Sequence, residues 1–172
     1  MQRRWKILAL AAATFTVSGL VQAKQVMCVF DLVGKNGDVY SVMKDYQLAA
    51  KNWGADIELR VNTNEAVVAE DFKAGKCDGI SVTGMRGRQF NSFTGSLDAI
   101  GAIPDLNLAV KVMQGLASPT FAKLMLNGKY EVVGVIPVGD AFLLVNDRSI
   151  NTVAKAAGKK IAVLDYDEAQ KI

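Results

Sequence analysis

Histidine is absent from this chain of 172 residues. Without histidine, neither a Ser-His-Asp triad nor a histidine-ligated zinc site can be built. The Walker loop, the dinucleotide glycine fingerprint and the nucleophile elbow are missing as well. Asp165 and Asp167 could hold a metal through oxygen ligands, but two acids this near a chain end are usually solvated. We therefore expect no enzyme activity, no cofactor and no metal, and binding is the class of function that remains.

The apolar run over residues 7–21 is too short and too rich in small polar residues to favour a membrane span. It holds about fifteen residues, whereas a span needs roughly 20. A basic stretch from Arg3 to Lys6 precedes it, and the small-residue motif Val21-Gln22-Ala23 follows. These three features together are typical of a secretory signal peptide. We predict a signal peptide over residues 1–23, cleaved after Ala23, and a mature protein located in the periplasm.

An excess of charge of either sign is also missing from the mature chain. Cleavage after Ala23 removes three of the 20 basic residues and no acidic one, which leaves 17 of each sign in 149 residues. A formally neutral protein gives no reason to expect nucleic acid or an anionic membrane surface as partner. The remaining length suits one well-packed domain.

Cysteine is scarce, and Cys28 and Cys77 are its two occurrences. An even number of cysteines in an exported chain favours a disulfide, and both residues lie at or beside predicted strands. Two buried free thiols are the alternative. Mass spectrometry of the unreduced mature protein separates the two cases.

Hydrophobic periods of strand and helix alternate along the first half of the chain. A continuous apolar run over residues 26–30 predicts a central strand, and the alternating pattern of residues 55–61 predicts a strand nearer an edge. Residues 77–82 form a third predicted strand. Amphipathic helices are predicted between them, one over residues 39–53 and one that begins after Asn64 and ends at Gly75. This order predicts an α/β fold with a mostly parallel sheet flanked by helices.

The second half of the chain predicts shorter elements. The pattern indicates a turn or short helix at 85–90, a strand at 97–103, a helix at 106–116, a helix at 118–127, strand segments at 130–138 and 140–146, a helix capped by Ser149 and ending at Gly158, and a strand at 160–164.

Loops that follow the first and third predicted strands carry the candidate binding residues. Ligands of open α/β sheets bind beyond the carboxyl ends of the strands, and these loops cover residues 31–38 and 83–89. Hydroxyl, carboxylate and guanidinium groups there suit a small polar or anionic ligand. We predict five ligand-contacting residues, with the tyrosine as a wall of the site: Asp31, Tyr40, Thr83, Arg86 and Arg88.

A structural interpretation of the same residues stays open. One of the two arginines is then solvated, and the other pairs with Asp31 or Asp98. Tyr40 and Phe90 belong to the core in that case.

Two stretches of the chain carry a resemblance to a known family. The first is the sequence GKCDGISVTG over Gly75–Gly84, and the second runs from Val145 through Ile150-Asn151-Thr152-Val153 to GKKIAV at residues 158–163. Together with the export signal and the βαβ order, they resemble periplasmic solute-binding proteins. The resemblance is strongest to the extracytoplasmic receptors of TRAP transporters, and to envelope proteins described as RND-type efflux components linked to aminoglycoside resistance.

This resemblance implies a type II periplasmic-binding-protein fold. Residues 24–147 would form the ligand-binding first lobe, and residues 148–172 the crossover helix and first strand of an incomplete second lobe. TRAP receptors place a carboxylate-binding arginine where this chain has Ala162. Because two-lobed receptors are about twice as long, the resemblance also implies a truncated product or a single-lobe derivative.

Two functions follow from the resemblance. The first is non-catalytic capture of a small solute in the periplasm for transport across the envelope. The second is an accessory role in an RND-type multidrug or aminoglycoside efflux system, in which protein partners replace the solute. An uncovered lobe face is expected to be covered by a homodimer or by docking onto an inner-membrane transporter or efflux pump subunits.

Overall fold

The structure is a computed structural model that describes residues 24–99, 101–139, 144–160 and 162. The predicted signal peptide, the metal alternative at Asp165 and Asp167, and most of the predicted last strand lie outside the described residues. In the described part of the chain, no helix is both long enough and apolar enough to cross a bilayer.

A small parallel sheet forms the centre of the fold. Its strands are β1 (Gln25–Phe30), β2 (Ile57–Asn62) and β3 (Gly79–Ser81), in the order β2-β1-β3. Val29 lies opposite Val61 on one side and Ser81 on the other, and its side chain is fully buried. The sequence predictions of a parallel sheet, of a central first strand and of a second strand at the edge are confirmed.

Two helices connect the three strands and flank the sheet. The first, α1 (Asp38–Asn52), buries Met43 and Ala50 and ends where Gly54 adopts a φ of +83°. The second, α2 (Glu65–Lys73), begins at Asn64, whose side-chain oxygen accepts hydrogen bonds from the first turn. Parallel crossovers are right-handed, so the reversal of direction at β1 places α1 and α2 on opposite faces of the sheet.

A disulfide between Cys28 and Cys77 crosses the α2 face of the sheet. The two Cα atoms are 5.9 Å apart, and the bridge links β1 to the segment that leads into β3. Its sulfur atoms pack with buried Val68 of α2 at the centre of a hydrophobic cluster. The predicted pairing is confirmed, and the two free buried thiols are not observed.

An aromatic cluster joins the second half of the chain to this face. The rings of Phe72, Phe90 and Tyr130 lie with centroids between 5.1 and 5.7 Å apart. Phe90 is buried, as its core interpretation predicted. The cluster places the chain that follows β3 over the open end of the α2 face.

The predicted strand at residues 97–103 is wrong. The structure has a helical turn there, α4 (Thr94–Leu97), which follows α3 (Gly84–Gly87). The Thr94 hydroxyl donates hydrogen bonds to the carbonyl oxygens of Gly84 and Asn91, at 2.8 and 2.9 Å, and this holds the turn against α3. Gly101 then has a φ of +77°, a conformation that an extended strand does not contain. The described residues 98–99 and 101–103 form turns and bends.

The predicted strands at residues 130–146 are largely wrong as well. Strand β5 (Tyr130–Glu131) pairs with β4 (Leu126–Asn127) in a short antiparallel hairpin, and the described residues after it, up to residue 139, have no regular structure. Val133 and Val138 are about four-fifths exposed. An apolar run becomes a strand only where a neighbour accepts its hydrogen bonds, and the hairpin supplies one for two residues. Residues 144–146 are not in a strand, and 140–143 lie outside the described residues.

The remaining helices are close to their predicted positions but shorter in two cases. Helix α5 (Leu106–Leu116) matches its prediction, and the predicted helix after Ser118 is a 3₁₀ turn at Pro119–Phe121 followed by α6 (Ala122–Met125). The final helix, α7 (Val153–Ala156), is capped by Thr152 and not by Ser149. The Ser149 amide instead donates to the Asp147 carboxylate at 2.8 Å, which forms a turn before the helix starts.

Glu58 lies on the edge strand β2, and its ion pair with Arg60 can be tested by titration. The hydrogen bond and positive charge of Arg60, with a smaller contribution from Lys24, hold the pKa of the Glu58 carboxyl below its usual value. We expect Arg60→Gln to raise this pKa toward that of an unpaired glutamate, as measured by NMR titration of the side-chain carboxyl. A lowered pKa contributes its full stabilisation above the pKa of the unfolded chain, about 4.3 for glutamate, and this small contribution is lost as the pH falls through the lower pKa of the folded protein. An unchanged pKa in the variant would contradict the pairing.

Candidate functional site

The loop after β1 places Asp31 against the start of α1. The Asp31 side chain is 5% exposed, and its two carboxylate oxygens accept hydrogen bonds from the amides of Val33 (2.8 Å) and Tyr40 (3.0 Å). Gly37 lies so close that a Cβ at that position would overlap the carboxylate. Asp31 therefore anchors the loop and holds the first turn of α1, where a negative charge also interacts favourably with the helix dipole.

Tyr40 contributes its backbone amide to this part of the candidate site. Its amide is one of the two donors to Asp31, and its half-buried side chain lies in the first turn of α1. The predicted neighbourhood of Asp31 and Tyr40 is thus present, as a contact between a carboxylate and a backbone amide. Their role as ligand contacts remains a prediction.

The segment after β3 places Thr83 and Arg86 around a buried carboxylate that the sequence analysis did not select. Glu65, the first residue of α2, is 6% exposed, and its Oε1 accepts the Thr83 amide at 2.6 Å. Its Oε2 lies 3.5 Å from the Nε of Arg86, whose side chain is 19% exposed. The Thr83 hydroxyl accepts the Arg86 amide at 3.2 Å and caps α3. These contacts tie the start of α2 to the end of β3.

Glu65, which pairs with Arg86, is neither of the two partners that the structural interpretation proposed. Asp31 accepts hydrogen bonds from the amides of Val33 and Tyr40, and the Asp98 carboxylate accepts the amide of Met85 at 2.9 Å. The sequence contains one signal for Glu65, because this residue directly follows the Asn64 cap at the carboxyl end of β2. The predicted ligand-contacting residues follow the first and third strands alone, so Glu65 is not among them.

Arg88 is separate from this group. Its side chain is exposed, and its aliphatic part lies over Gly95 so closely that a Cβ on that glycine would overlap it. Arg88 therefore covers the α4 turn at Gly95 while the residue stays exposed. The structure places it at the C-terminus of α3, beyond Arg86.

The exits of the three parallel strands lie along one edge of the sheet. The Asp31 amide donates to the carbonyl of Asn62 at 3.1 Å, and Thr63 of the β2 exit lies 3.6 Å from the Cβ position of Gly34. Val29 and Ser81 are the last pair of the β1–β3 register, and Asp31 and Thr83 each follow two residues later. The predicted residues Asp31, Thr83 and Arg86 thus belong to neighbouring strand exits.

The described part of the chain also contains a cavity beside β2. It has a volume of about 90 Å³, and its walls include Cys28, Arg60, Val68 and Lys76 together with Asn62, the last residue of β2. Ligand pockets usually occupy roughly 300 Å³ or more, so this cavity is too small for an organic solute. Among residues 24–99, 101–139, 144–160 and 162, no group of acidic, histidine or cysteine side chains is placed to hold a metal ion.

Residues 47–172 of the chain match the family model described as "Solute-binding protein AdeT 1/2". The chain belongs to this family. The matched range contains the β3 exit with Glu65, Thr83 and Arg86, whereas Asp31 precedes it.

Two relatives, both from Acinetobacter baumannii, carry the same family name. One is named "Probable solute-binding protein AdeT1" and is 56% identical over 142 residues, which are 83% of this chain and 47% of the relative. The other is named "Probable solute-binding protein AdeT2" and is 39% identical over 77 residues, which are 45% of this chain and 32% of the relative. The chain thus spans about half of the first relative's length and a third of the second's. No solved structure matches the chain.

The printed names of the family and of both relatives refer to solute binding.

Proposed function

We propose that this protein binds a small polar or anionic solute, without catalysis, at the carboxyl edge of its parallel sheet. The observation that carries the proposal is the position of the site residues in the topology. In the order β2-β1-β3, the chain leaves β1 in one direction for β2 and returns in the other for β3, so the switch point lies between β1 and β3. Ligands of open α/β sheets bind at such switch points. Asp31 and Thr83 follow these two strands.

The setting of this function is part of the proposal. We infer that the protein is exported by its N-terminal signal, with cleavage after Ala23, and that it captures its solute in the periplasm for transport across the envelope. The parallel sheet and the family membership support a first lobe of the type II periplasmic-binding-protein fold over residues 24–147, followed by a crossover at 148–172. The relation to TRAP receptors belongs to the same proposal. Arg88, an exposed cation at the C-terminus of α3, is included in the proposed site because it also follows β3.

Alanine substitution of the two arginines tests the site. A thermal-shift screen of organic solutes on the mature protein identifies a stabilising solute, and calorimetric titration gives its affinity. We expect Arg86→Ala and Arg88→Ala each to weaken that affinity by about tenfold or more, because a hydrogen bond from a charged donor contributes roughly 1.5–3 kcal/mol.

Lys51→Ala is the matched control. It removes one exposed positive charge near the C-terminus of α1, at the opposite end of the sheet, and should leave the affinity unchanged. If affinity survives both arginine substitutions while the circular dichroism spectrum stays native, the site is placed wrongly.

A second candidate function rests on exposed apolar side chains in the last third of the described chain. Val133, Val138, Leu144 and Val153 are between 80% and 90% exposed, and a set of apolar side chains this exposed favours burial against another surface. An accessory role in RND-type efflux, through a pump subunit or a second copy of the chain, would supply such a surface. A screen in which no solute stabilises the mature protein favours this function over the first.

A further inference from the structure

The buried Glu65 carboxylate occupies the groups that would otherwise bind an anion at the β3 exit. An oxyanion is recognised by backbone amides and guanidinium groups, and the Thr83 amide and the Arg86 Nε are two such groups at this exit. Both face Glu65, at 2.6 Å from Oε1 and 3.5 Å from Oε2. An internal carboxylate thus already stands where the carboxylate of an anionic solute would bind.

Burial makes this pairing effective. Glu65 is 6% exposed and Arg86 19% exposed, so water and salt screen their interaction much less than that of a surface pair. The negative charge of Glu65 therefore offsets the positive charge of Arg86 for any solute that approaches. A second anion would have to separate the pair or accept repulsion from Glu65.

The neighbouring exits reinforce the same charge balance. The carboxylate of Asp31, which follows β1, is buried, and the Asp98 carboxylate accepts the amide of Met85 in α3. Three carboxylates thus accompany two guanidinium groups along this edge, in the part of the chain that the structure describes.

We infer that Glu65 sets the charge preference of the site, so that the solute group at Thr83 and Arg86 is a neutral hydrogen-bonding group and not a free carboxylate or phosphate. The inference rests on the proposed function and narrows its solute class. Glu65 acts here as a positioning residue, since it orients Thr83 and Arg86 and offsets the charge of the latter.

Substitution Glu65→Gln removes the negative charge of this side chain and keeps nearly the same shape. The glutamine side chain keeps an oxygen that can accept the Thr83 amide, but it no longer offsets the Arg86 guanidinium. The probes are two pairs of matched solutes, acetate with acetamide and succinate with succinamide. Affinities are read from the backbone amide NMR signals of residues 83–86 during titration of the mature protein at constant ionic strength. Glu70→Gln is the control, because Glu70 is an exposed carboxylate on the same helix.

In the native protein and in Glu70→Gln, we expect acetamide and succinamide to bind more tightly than their anionic counterparts. In Glu65→Gln, we expect the affinity for acetate and succinate to rise about tenfold, with little change for the amides, because the repelling charge has been removed. A merely structural role would weaken all four probes alike.

Two results overturn the inference while leaving the proposed function intact. The first is a native protein that binds acetate and succinate more tightly than acetamide and succinamide, which can be measured even if Glu65→Gln does not fold. The second is a Glu65→Gln variant that folds and still shows the same order of affinities as the native protein. If none of the four probes shifts the signals of residues 83–86 in any of the three proteins, the proposed binding edge itself is wrong, and the inference fails with it.

Discussion

Removing the disulfide by replacing both Cys28 and Cys77 with alanine should lower the free energy of unfolding by about 4 kcal/mol. The two residues are 49 positions apart, so the bridge restricts a long loop of the unfolded chain. That loop contains one strand of the sheet, β2, and both helices that flank the sheet, α1 and α2. The bridge also fills the space around buried Val68, and alanine side chains would leave part of it empty. Chemical denaturation of the mature protein, followed by circular dichroism, measures the difference.

Reduced wild-type protein is the control for this result. Reduction opens the loop but keeps the sulfur atoms, so we expect most of the stability loss without the contribution of lost packing. In a domain of this size, the same loss of stability lowers the midpoint temperature of thermal unfolding by roughly 10 °C. If the double variant unfolds within about 1 kcal/mol of the oxidised protein, the bridge does not contribute through the unfolded chain.

The first half of the fold could be predicted because its signals are local. The apolar run of β1 specifies a strand covered on both faces, and the Asn64 cap and the left-handed glycines at 54 and 75 fix where helices begin and end. Each signal depends on a residue and its nearest neighbours in sequence. The strand order is consistent with the apolar patterns, since the continuous apolar run of β1 indicates a central strand and the alternating pattern of β2 indicates an edge strand.

The second half could not be predicted because its apolar runs do not specify a partner. Residues 97–103 and 130–138 have the composition of strands, but a strand also needs a neighbour with free backbone groups. The hairpin of β4 and β5 supplies one for Tyr130 and Glu131 alone, and Gly101 turns the chain away from an extended path. These outcomes depend on tertiary contacts that composition does not contain.

The site was predicted in part for the same reason. Thr83 and Arg86 could be found because they follow a predicted strand, but the partner of Arg86 lies 21 positions earlier, on α2. Only the fold brings Glu65 to the end of β3. The role of Asp31 as an anchor for two amides likewise depends on how its loop folds back to α1, although its place after β1 was evident.

Asp31→Ala should destabilise the protein by about 3 kcal/mol, because it leaves two amides without their carboxylate acceptor at a buried position. The substitution also removes a negative charge from the N-terminus of α1. Asp31→Asn keeps one acceptor oxygen and should cost about half as much. Asp38→Ala is the matched control, since Asp38 is an exposed acid in the first turn of α1 and its substitution should cost less than about 1 kcal/mol. Denaturant unfolding monitored by circular dichroism gives all three values.

A double-mutant cycle with Gly37→Ala separates the anchoring role of Asp31 from a role in ligand contact. The added methyl group would overlap the Asp31 carboxylate, so Gly37→Ala should destabilise the native protein by displacing that carboxylate from its two amides. Once Asp31→Ala has removed the carboxylate, the same methyl group has space, and the two substitutions together should cost clearly less than the sum of their separate effects. Additive effects would show that Gly37 and Asp31 do not share a contact. If Asp31→Ala leaves the stability unchanged and abolishes solute binding, the carboxylate serves the solute directly and the anchoring role is wrong.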